Sequence, residues 1–459
     1  MKKIVAIACG MDQPKKNNNI ISKRNLYLNY GLLGLCTLLN DKGYKIEQFQ
    51  GEYLTPEELI NIINNTEYNL KEIKFPVLIS IVSFLSIDWC YKLTKILKME
   101  YGLKCIVGGK YVVDGNVEWL KNKLPYVDLF IEGSGEKKIE KALNSTRCDL
   151  NNECLDYYKK LDYSLVYDYK KYNPCIEIAR GCGRGCVFCA DGKRKRSAIK
   201  NAKNVIEELH YIEKIYNYEP FNVYFQMATF QVSNEWIRIL ENHVGEFENK
   251  INWRCTSRID TIETKMLPRL SKVGLKVIDL GLESASPIQL ILMNKTNEPQ
   301  KYLKKAEEIL RVAYECGIWV KLNILLTAGE TKKTIEETQT WLNKNKKYIK
   351  GISANCETIY GPYNSLIDNC FTLGSTMVKK NLLDEKGFSY INLSDEIDFQ
   401  LAKEYCVDIS KSVMNADDYF DLKKYGYFSR YYDRTHFYYD LDKVKNQELP
   451  FTIDTKRTK

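Results

Sequence analysis

The amino-acid sequence is poor in histidine and has neither a long apolar segment nor a long basic block. Its 459 residues include only His210, His243 and His436, which lie too far apart in the sequence to indicate a histidine metal site. No apolar run reaches the roughly 18 residues that a membrane helix requires, so we expect no membrane partner. We interpret the net charge of +9 as a solvated surface and do not expect nucleic acid as a partner.

Cysteine, in contrast, is abundant. The odd count of 15 argues against a disulfide framework. The chain begins MKKIVAIAC, which resembles a lipoprotein signal, but its apolar stretch, residues 4–8, is shorter than the roughly 7 to 15 residues of a signal core. We therefore predict that this segment is a first strand, that the protein is cytoplasmic, and that some of the thiols bind metal.

The order of the predicted elements divides the chain into four parts. Residues 1–145 alternate short apolar strands with helices, and glycines follow several strands, which is typical of a doubly wound, Rossmann-like α/β domain. Residues 146–174 are polar and indicate a linker. A second alternating series over residues 175–360 favours a partial (β/α)6 barrel, with its chemistry at the C-terminal ends of the strands. Residues 361–459 are predicted to be a mostly helical C-terminal extension.

Aromatic residues are concentrated in that extension. Residues 419–440 mix many Tyr and Phe side chains with charged ones. One interpretation is a helical cap packed on the barrel. The other is a lid or a substrate-binding surface.

The strongest chemical motif follows the first strand of the second series. Cys182, Cys186 and Cys189 have the spacing C-x3-C-x2-C on a glycine-rich loop. Three such thiolates can bind three irons of one 4Fe–4S cluster and leave the fourth iron open for a small molecule, whereas four protein thiolates would give a closed electron-transfer site. The glycines allow the loop to curl tightly. A zinc site would lack its fourth ligand, because no histidine is near.

This loop resembles the cluster loop of the radical S-adenosylmethionine (radical SAM) superfamily, including the aromatic Phe188 before the last cysteine. The resemblance extends over residues 170–360. DLGLESAS, which begins at Asp279, is similar to the family's GxES strand, and TAGET, which begins at Thr327, is similar to the GET turn of its elongator-like branch. The resemblance implies that SAM binds the open iron through its amino and carboxylate groups. One electron then cleaves it to methionine and a 5′-deoxyadenosyl radical, which abstracts a hydrogen atom from the substrate.

The resemblance also implies cofactor contacts at individual positions. Glu283 and Ser284, at a strand end, would hydrogen-bond the ribose hydroxyls or the methionine amine, unless they are an ordinary strand-end cap. Arg258 would pair with the SAM carboxylate, or else form a surface ion pair. The turn after the second barrel strand lacks the usual glycine or acidic residue, so Thr229 is the candidate contact for the SAM ammonium group. Phe188 would support the adenine through its backbone.

The first domain resembles the cobalamin-binding domain that precedes the barrel in one radical SAM subfamily. Many cobalamin domains carry Asp-x-His-x-x-Gly after the first strand, and residues 1–145 contain no histidine at all. Either cobalamin binds without a histidine ligand to cobalt, or the domain has kept the fold and lost the ligand. The residues expected to contact cobalamin are Ser83, Gly108, Gly109, Gly133 and Gly135.

Together these features predict a radical SAM enzyme that, with cobalamin, methylates an unactivated carbon of a peptide or natural product. Its electron donor would be a protein such as flavodoxin or ferredoxin. Two alternatives remain open. One is a rearrangement, epimerisation or ring-forming reaction, with cobalamin absent or not a methyl carrier, in which Cys356 would be the candidate hydrogen-atom donor rather than a core residue. The other is a non-catalytic iron–sulfur electron carrier. Methylthiotransfer to RNA is disfavoured because the N-terminal cysteines are spread out.

Overall fold

The structure is a computed structural model, which describes residues 3–14, 18–112, 117–144, 160–189, 192, 194–360, 380–384 and 388–453. The chain divides into two compact units. Residues 1–172 make up most of the first, and residues 173–360 and 389–459 make up most of the second. Much of the expected linker, residues 145–159, and the beginning of the expected extension, residues 361–379, lie outside the described residues, so the domain boundaries there stay predictions.

A sheet of five parallel strands forms the centre of the first unit. Its spatial order is β2-β1-β3-β4-β5, so the order reverses between β1 and β3. Open parallel sheets bind ligands at the C-terminal strand ends near such a reversal. The strands are β1 (Lys3–Ala8), β2 (Lys45–Gln50), β3 (Val77–Ser80), β4 (Cys105–Gly108) and β5 (Leu129–Phe130).

Apolar side chains cover both faces of this sheet, because successive residues of a strand point to opposite sides. Val5 and Ile7 of β1 pack into one core, and Ile4 and Ala6 pack into the other. This two-sided burial explains why β1 is almost continuously apolar. The helices of the unit are α1 (Ile20–Lys23), α2 (Tyr30–Asp41), α3 (Pro56–Asn64), α4 (Ile87–Met99), α5 (Val117–Lys123) and α6 (Ile139–Asn144), with 3-10 turns at Leu70–Glu72 and Phe84–Ser86.

The described end of the expected linker packs on the first unit. Residues 160–172 form two 3-10 turns, Tyr163–Leu165 and Tyr169–Lys171. The Tyr163 side chain is buried, and the Asp162 amide donates to Thr37 Oγ1 over 3.0 Å. Buried aromatic area fastens this segment, although its polar composition indicates a linker.

Six parallel strands form the sheet of the second unit. They follow one another in chain order, β6 to β11, which is the arrangement of an open section of a barrel. The strands are β6 (Cys175–Glu177), β7 (Asn222–Gln226), β8 (Asn252–Arg258), β9 (Leu275–Glu283), β10 (Trp319–Leu326) and β11 (Gly351–Cys356). All six lie where the sequence predicts strands, so the expected fold class is confirmed.

Helices connect these strands, and several begin at a capping side chain. Ser233 accepts a hydrogen bond from the amide of Trp236, and Thr331 forms a capping box with Thr334. The connecting helices are α7 (Ala202–Ile215), α8 (Asn234–His243), α9 (Leu267–Lys272), α10 (Pro287–Leu292), α11 (Pro299–Glu315) and α12 (Lys332–Asn345). Three 3-10 turns, Val244–Glu246, Thr264–Met266 and Lys346–Tyr348, complete the unit's connections.

The C-terminal region adds an aromatic cluster to the second unit. Its helices are α13 (Phe399–Lys411), α14 (Ala416–Lys424) and α15 (Arg434–Leu441), with a 3-10 turn at Asn446–Glu448. Tyr419, Phe428, Phe437 and Phe451 are buried, with ring centroids 4.6 to 6.3 Å apart where they meet. The structure therefore supports the packed-cap interpretation of the aromatic tail. Three further strands, β12 (Thr358–Tyr360), β13 (Lys380–Asp384) and β14 (Phe388–Ile391), form a small sheet in the order β12-β14-β13.

A buried arginine ties this cap to the barrel sheet. Arg254 of β8 is only 1% exposed and donates to Asp279 of β9 and to the carbonyls of Leu422 and Tyr425, the last two over 2.8 and 2.9 Å. Its guanidinium also lies 4.5 Å from the centroid of the Tyr427 ring. Both the charge and the donors of Arg254 are thus satisfied, as a buried ion pair requires. Among the described helices, none combines the length and hydropathy of a membrane span.

Candidate functional site

The three motif cysteines lie on the loop that follows β6, at the C-terminal ends of the barrel strands. Backbone hydrogen bonds fasten this loop to the segment after it. The Cys182 amide donates to the Arg194 carbonyl over 3.0 Å, and the Gly185 amide donates to the Gly192 carbonyl over 2.9 Å. On its other side, Asn294 Nδ2 donates to the Gly185 carbonyl over 2.9 Å. The loop therefore has a defined conformation held from two sides.

Glycines make that conformation possible. Gly181, Gly183 and Gly185 have φ angles of +74°, +72° and +72°, in the left-handed region that other residues rarely adopt. At Gly181 a side chain is also excluded sterically, because a Cβ atom would lie 2.4 Å from the carbonyl oxygen of Lys195. The loop therefore curls closely against the chain that follows it.

Two of the thiols face neighbouring strand ends. The Cys182 sulfur lies 3.3 Å from Thr229 Oγ1, just after β7, and the Cys186 sulfur lies 2.6 Å from a terminal nitrogen of Arg258, at the end of β8. The structure thus brings Thr229 and Arg258, both expected site residues, to the cysteine loop. Cys189 lies at the end of the loop and is partly exposed.

Arg258 is held rigidly by groups other than the expected SAM carboxylate. It donates two hydrogen bonds to the carboxylate of Asp260, over 2.8 and 3.1 Å, and one to the Lys295 carbonyl over 2.9 Å. Burial lowers the pKa of Arg258, but its bonds to Asp260 and the nearby Cys186 sulfur outweigh burial and raise the pKa above its usual value. A permanent positive charge therefore lies beside the cysteine loop.

Glu283 and Phe188 are joined by a lysine that the sequence reasoning missed. Lys295, which is almost fully buried, donates to Glu283 Oε1 over 2.9 Å and lies 5.9 Å from the centroid of the Phe188 ring. Glu283 has a φ angle of +68°, and the adjacent Gly281 leaves room for its carboxylate. Lys295 ends the segment ILMNK, residues 291–295, which lies within the stretch 170–360 that resembles the radical SAM family.

The Ser284 hydroxyl is engaged by α12 and by its own turn. It lies 3.1 Å from Thr338 Oγ1 of α12, and it also accepts from the Ser286 amide over 3.1 Å. These contacts correspond to the strand-end cap that the sequence left open. A contact of Ser284 with SAM stays a prediction.

A buried polar turn follows β10, where the sequence has TAGET. Gln289 donates to Thr327 Oγ1 over 2.7 Å, and Thr334 donates to one carboxylate oxygen of Glu330. The other carboxylate oxygen of Glu330 and the amide oxygen of Gln289 have no hydrogen-bond partner among the described residues. Burial, with a further contribution from Glu337, raises the pKa of Glu330 to about 8 despite the bond from Thr334.

The donor set fits an iron–sulfur cluster better than a single metal ion. Within the described residues, no group of three or more His, Cys, Asp or Glu side chains is arranged to hold one metal ion. A 4Fe–4S cluster binds each thiolate through a different iron, so its cysteine ligands need not converge on one point. Burial raises the pKa of other thiols, such as Cys175 and Cys255, well above the usual value, which makes them poor ligands.

The sequence-predicted cobalamin contacts lie at the C-terminal ends of the strands in the first unit. Gly109 follows β4 with a φ angle of +111°, and a Cβ there would lie 2.4 Å from the Ile81 carbonyl. Ser83 is buried and caps the Phe84–Ser86 turn. The other three are glycines at or after strand ends. Gly108 ends β4, Gly133 lies shortly after β5, and Gly135, two residues further on, packs against Leu35.

These residues fit a cofactor that is bound without a cobalt ligand from the first unit. Gly133 has a φ angle of +68°, and no atom of the described residues lies within 4 Å of a Cβ atom built there. Residues 1–172 contain no histidine, so they offer no imidazole to a cofactor. They offer backbone groups at the strand ends instead. Binding of cobalamin itself stays a prediction.

Cys356, the candidate hydrogen-atom donor, has a sulfur neighbour that the sequence did not indicate. Its sulfur lies 3.6 Å from that of Cys406 on α13, and both residues are thiols rather than a disulfide. Cys356 ends β11 and is partly exposed, whereas Cys406 is buried.

Comparison with known proteins identifies the class of the second unit. Residues 176–342 match the radical SAM superfamily, so this part of the chain is a radical SAM domain. An uncharacterized methyltransferase of Pyrococcus horikoshii is 26% identical over 174 residues, which cover 37% of this chain and 36% of that protein. The anaerobic magnesium-protoporphyrin IX monomethyl ester cyclase of Rubrivivax gelatinosus is 27% identical over 179 residues, covering 38% and 31%. The chain thus matches about a third of the length of these curated relatives.

Solved structures show that the fold extends beyond this domain. The radical SAM methyltransferase TsrM of Kitasatospora setae, with tryptophan substrate and a SAM analog bound, superposes with a TM-score of 0.61 at 13% identity and covers 84% of this chain and 79% of its own. The cobalamin-dependent SAM radical enzyme OxsB, with aqua-cobalamin bound, gives a TM-score of 0.57 at 16% identity, covering 75% and 52%. At these identities the likeness shows a shared fold, and it confirms the predicted architecture.

Proposed function

We propose that this protein is a radical SAM enzyme that, with cobalamin, methylates an unactivated carbon of a peptide or natural product. One observation carries the proposal. A C-x3-C-x2-C loop, fastened from two sides, turns its first two thiols toward Thr229 and Arg258 at the strand ends of a radical SAM domain. The methyltransferase names of the Pyrococcus relative and of TsrM support the type of reaction.

Cys182, Cys186 and Cys189 would hold a 4Fe–4S cluster with one open iron for the amino and carboxylate groups of SAM. When bound, the cluster supplies the electron that cleaves SAM. Arg258, fixed by Asp260 and the Lys295 carbonyl, would keep a positive charge beside the thiolates and stabilise their anionic form. Thr229 and Glu283 stand at neighbouring strand ends, where they would orient SAM.

The first unit would hold cobalamin at the C-terminal ends of its strands. Gly133 would let the cofactor approach the backbone, and Ser83, Gly108 and Gly109 would lie at the neighbouring strand ends. When bound, cobalamin supplies a carrier for the methyl group. The cobalamin-bound structures of OxsB and TsrM, which share this fold, support the proposal. An electron donor such as flavodoxin or ferredoxin and a cytoplasmic location belong to the same proposal.

The first experiment tests the radical chemistry. Anaerobically reconstituted protein is incubated with SAM and a strong reductant, and 5′-deoxyadenosine is quantified. We expect this product from the wild type, and a loss of both the product and the visible iron–sulfur absorbance from Cys182→Ala, Cys186→Ala and Cys189→Ala. Cys316→Ala is the matched control, because this partly exposed cysteine lies outside the loop and should leave both signals intact. An intact cluster without any 5′-deoxyadenosine would exclude the radical proposal.

A second candidate reaction, a rearrangement or epimerisation without methyl transfer, is favoured by the position of Cys356. This partly exposed thiol ends β11 with the Cys406 sulfur 3.6 Å away, so a neighbouring thiol is in place if Cys356 gives up its hydrogen atom. Purification with and without added cobalamin separates the two candidates. Corrinoid absorbance that copurifies and is required for turnover supports methylation, whereas turnover without any corrinoid supports the second candidate.

A further inference from the structure

Positive charge is concentrated in the segment that contains the cysteine loop. Residues 180–200 contain seven Lys or Arg and one Asp, in a chain whose total net charge is +9. Two of these cations are used internally: Lys200 is buried against Glu208, and Arg180 is paired with Glu177. Four others, Arg184, Arg194, Lys195 and Arg196, are exposed and are called the basic rim below.

The basic rim is attached directly to the cysteine loop. Arg184 lies on the loop itself, between Cys182 and Cys186. Arg194 accepts a hydrogen bond from the Cys182 amide through its carbonyl, so the two residues are neighbours along the backbone contact. Arg196 donates over 3.0 Å to Gln231, a neutral partner.

Two acidic groups near the rim, both among the described residues, are already engaged. Asp260 accepts two hydrogen bonds from Arg258; burial raises its pKa, but these bonds, the charge of Arg258 and that of Arg184 lower it overall. Glu177 accepts both of its bonds from Arg180. The field at the loop surface is therefore positive, and such a field raises the encounter rate with an anionic partner.

Apolar surface accompanies this charge. Ile288 and Ile291 of α10 are 58% and 56% exposed. α10 leads into Met293 and Asn294, and both contact the loop. The Met293 carbonyl accepts from the Val187 amide, and the Asn294 side chain donates to the Gly185 carbonyl. Exposed isoleucines beside a charged rim are typical of a protein interface, in which apolar contacts accompany a polar border.

We propose that the basic rim, with the exposed face of α10, docks an acidic one-electron carrier protein against the cysteine loop. This inference rests on the proposed function, because that function requires one electron for each SAM cleaved, which the carrier loses and the loop's cluster gains. Gly183 and Arg184 place the loop at the protein surface, so a partner bound here approaches its thiols closely.

The test uses flavodoxin, a small acidic carrier, and the double charge reversal Lys195→Glu/Arg196→Glu in the full chain. Binding of oxidised flavodoxin to the reconstituted protein is titrated in the absence of SAM. We expect the Kd to rise with salt and to be about tenfold higher for the variant at low ionic strength. The matched control is Lys214→Glu/Lys272→Glu, which reverses two exposed lysines in the last turns of α7 and α9, and its Kd should equal that of the wild type.

A second readout compares two reductants. The 5′-deoxyadenosine rate driven by reduced flavodoxin should fall about tenfold in the variant, whereas the rate driven by dithionite, which needs no docking surface, should match the wild type. If the variant loses its cluster, the milder Lys195→Gln/Arg196→Gln is titrated instead, with a smaller rise in Kd expected. Because binding is measured without SAM, an absence of SAM cleavage would overturn the proposed function and leave the docking result standing.

Three outcomes would overturn the docking proposal. The first is equal flavodoxin affinity of wild type, variant and control. The second is a Kd that rises as much in the Lys214→Glu/Lys272→Glu control as in the rim variant. The third is a single-stranded oligonucleotide that binds through Lys195 and Arg196 while flavodoxin does not bind, which would assign the basic rim to nucleic acid.

Discussion

Glu330 is a carboxylic acid in the interior of the barrel turn, where it is 1% exposed and lacks a cation beside it among the described residues. A buried carboxylate without a counter-charge is costly, so the group keeps its proton at pH values at which an exposed glutamate is ionised. The second carboxylate oxygen of Glu330 and the amide oxygen of Gln289 both lack donors among the described residues. A proton on the unpartnered oxygen of Glu330 turns that acceptor into a neutral hydroxyl.

Replacement of this acid by its neutral isostere should change how stability depends on pH. The pKa of Glu330 is raised from 4.5 to about 8. The protonated group therefore contributes fully to the free energy of unfolding below pH 4.5, and this contribution is lost as the pH rises through 8. Each unit of this shift corresponds to about 1.4 kcal/mol. Glu330→Gln should therefore have nearly the Tm of the wild type at pH 5 and a higher Tm at pH 9. Thermal unfolding between these pH values measures the difference.

The control for this prediction is Glu336→Gln, an exposed glutamate on α12, the helix that begins just after Glu330. Its Tm difference from the wild type should stay constant with pH. Parallel curves for Glu330→Gln and the wild type would show that Glu330 ionises normally in the folded protein.

At the scale of elements, the cysteine loop depends on how closely two backbone segments approach each other. Gly181 and Gly183 have nearly the same positive φ angle, yet only Gly181 lies against the Lys195 carbonyl. At Gly183 the nearest atom to a Cβ is 3.7 Å away, which is an ordinary contact. A comparison of alanine variants at these two positions therefore distinguishes the cost of a left-handed backbone from that of a steric clash.

Gly181→Ala should prevent the loop from closing, because its Cβ would lie 2.4 Å from a backbone oxygen. Gly183→Ala carries only the cost of a left-handed residue, roughly 1–2 kcal/mol. We expect anaerobic reconstitution to give far less iron and sulfide per chain for Gly181→Ala, and a content close to the wild type for Gly183→Ala. Equal cluster contents in the two variants would contradict this account of the loop.

The C-terminal helices show how an element-scale question is decided by packing. Aromatic and charged side chains alternate in residues 419–440, a pattern that suits either a lid or a cap. In the structure the rings of Tyr419, Phe428 and Phe437 pack on one another, and the carbonyls of Leu422 and Tyr425 receive the Arg254 guanidinium. The aromatic residues therefore form a core of their own.

At the scale of the whole molecule, the distribution of histidine bears on the proposed cobalamin site. All three histidines lie in the second unit, and each has a carboxylate partner: His210 and His243 share Glu246, and His436 contacts Asp433. The first unit can therefore offer no imidazole to cobalt.

The electron paramagnetic resonance spectrum of bound cobalt should show that the first unit supplies no histidine ligand. The protein is loaded with cobinamide, a corrinoid without the nucleotide base, and reduced to the Co(II) state for electron paramagnetic resonance. We expect a signal without nitrogen superhyperfine splitting, because the first unit has no histidine. Nitrogen splitting that disappears in one of His210→Ala, His243→Ala or His436→Ala would instead identify a histidine ligand from the second unit.

Much of this protein could be derived from its sequence, because the signals are local. The apolar run of β1, the spacing of Cys182, Cys186 and Cys189, and the glycines between them each specify structure within a few residues. Strand and helix periodicity therefore predicted the doubly wound sheet and the six barrel strands. The strand boundaries differed by a few residues, as at β8, which extends to Arg258 and so carries that side chain to the cysteine loop.

Only the tertiary structure decided which distant side chains meet, because such contacts depend on strand order and side-chain direction rather than on spacing along the chain. It placed Lys295 between Glu283 and Phe188, turned Ser284 toward α12, and bonded Arg258 to Asp260. It also showed which cations are buried and paired, such as Lys200, and which are exposed around the loop. The sequence by itself determined the fold class and the cysteine loop, since both follow from local pattern. The electrostatic surroundings of that loop follow from long-range packing, and the folded chain was needed to see them.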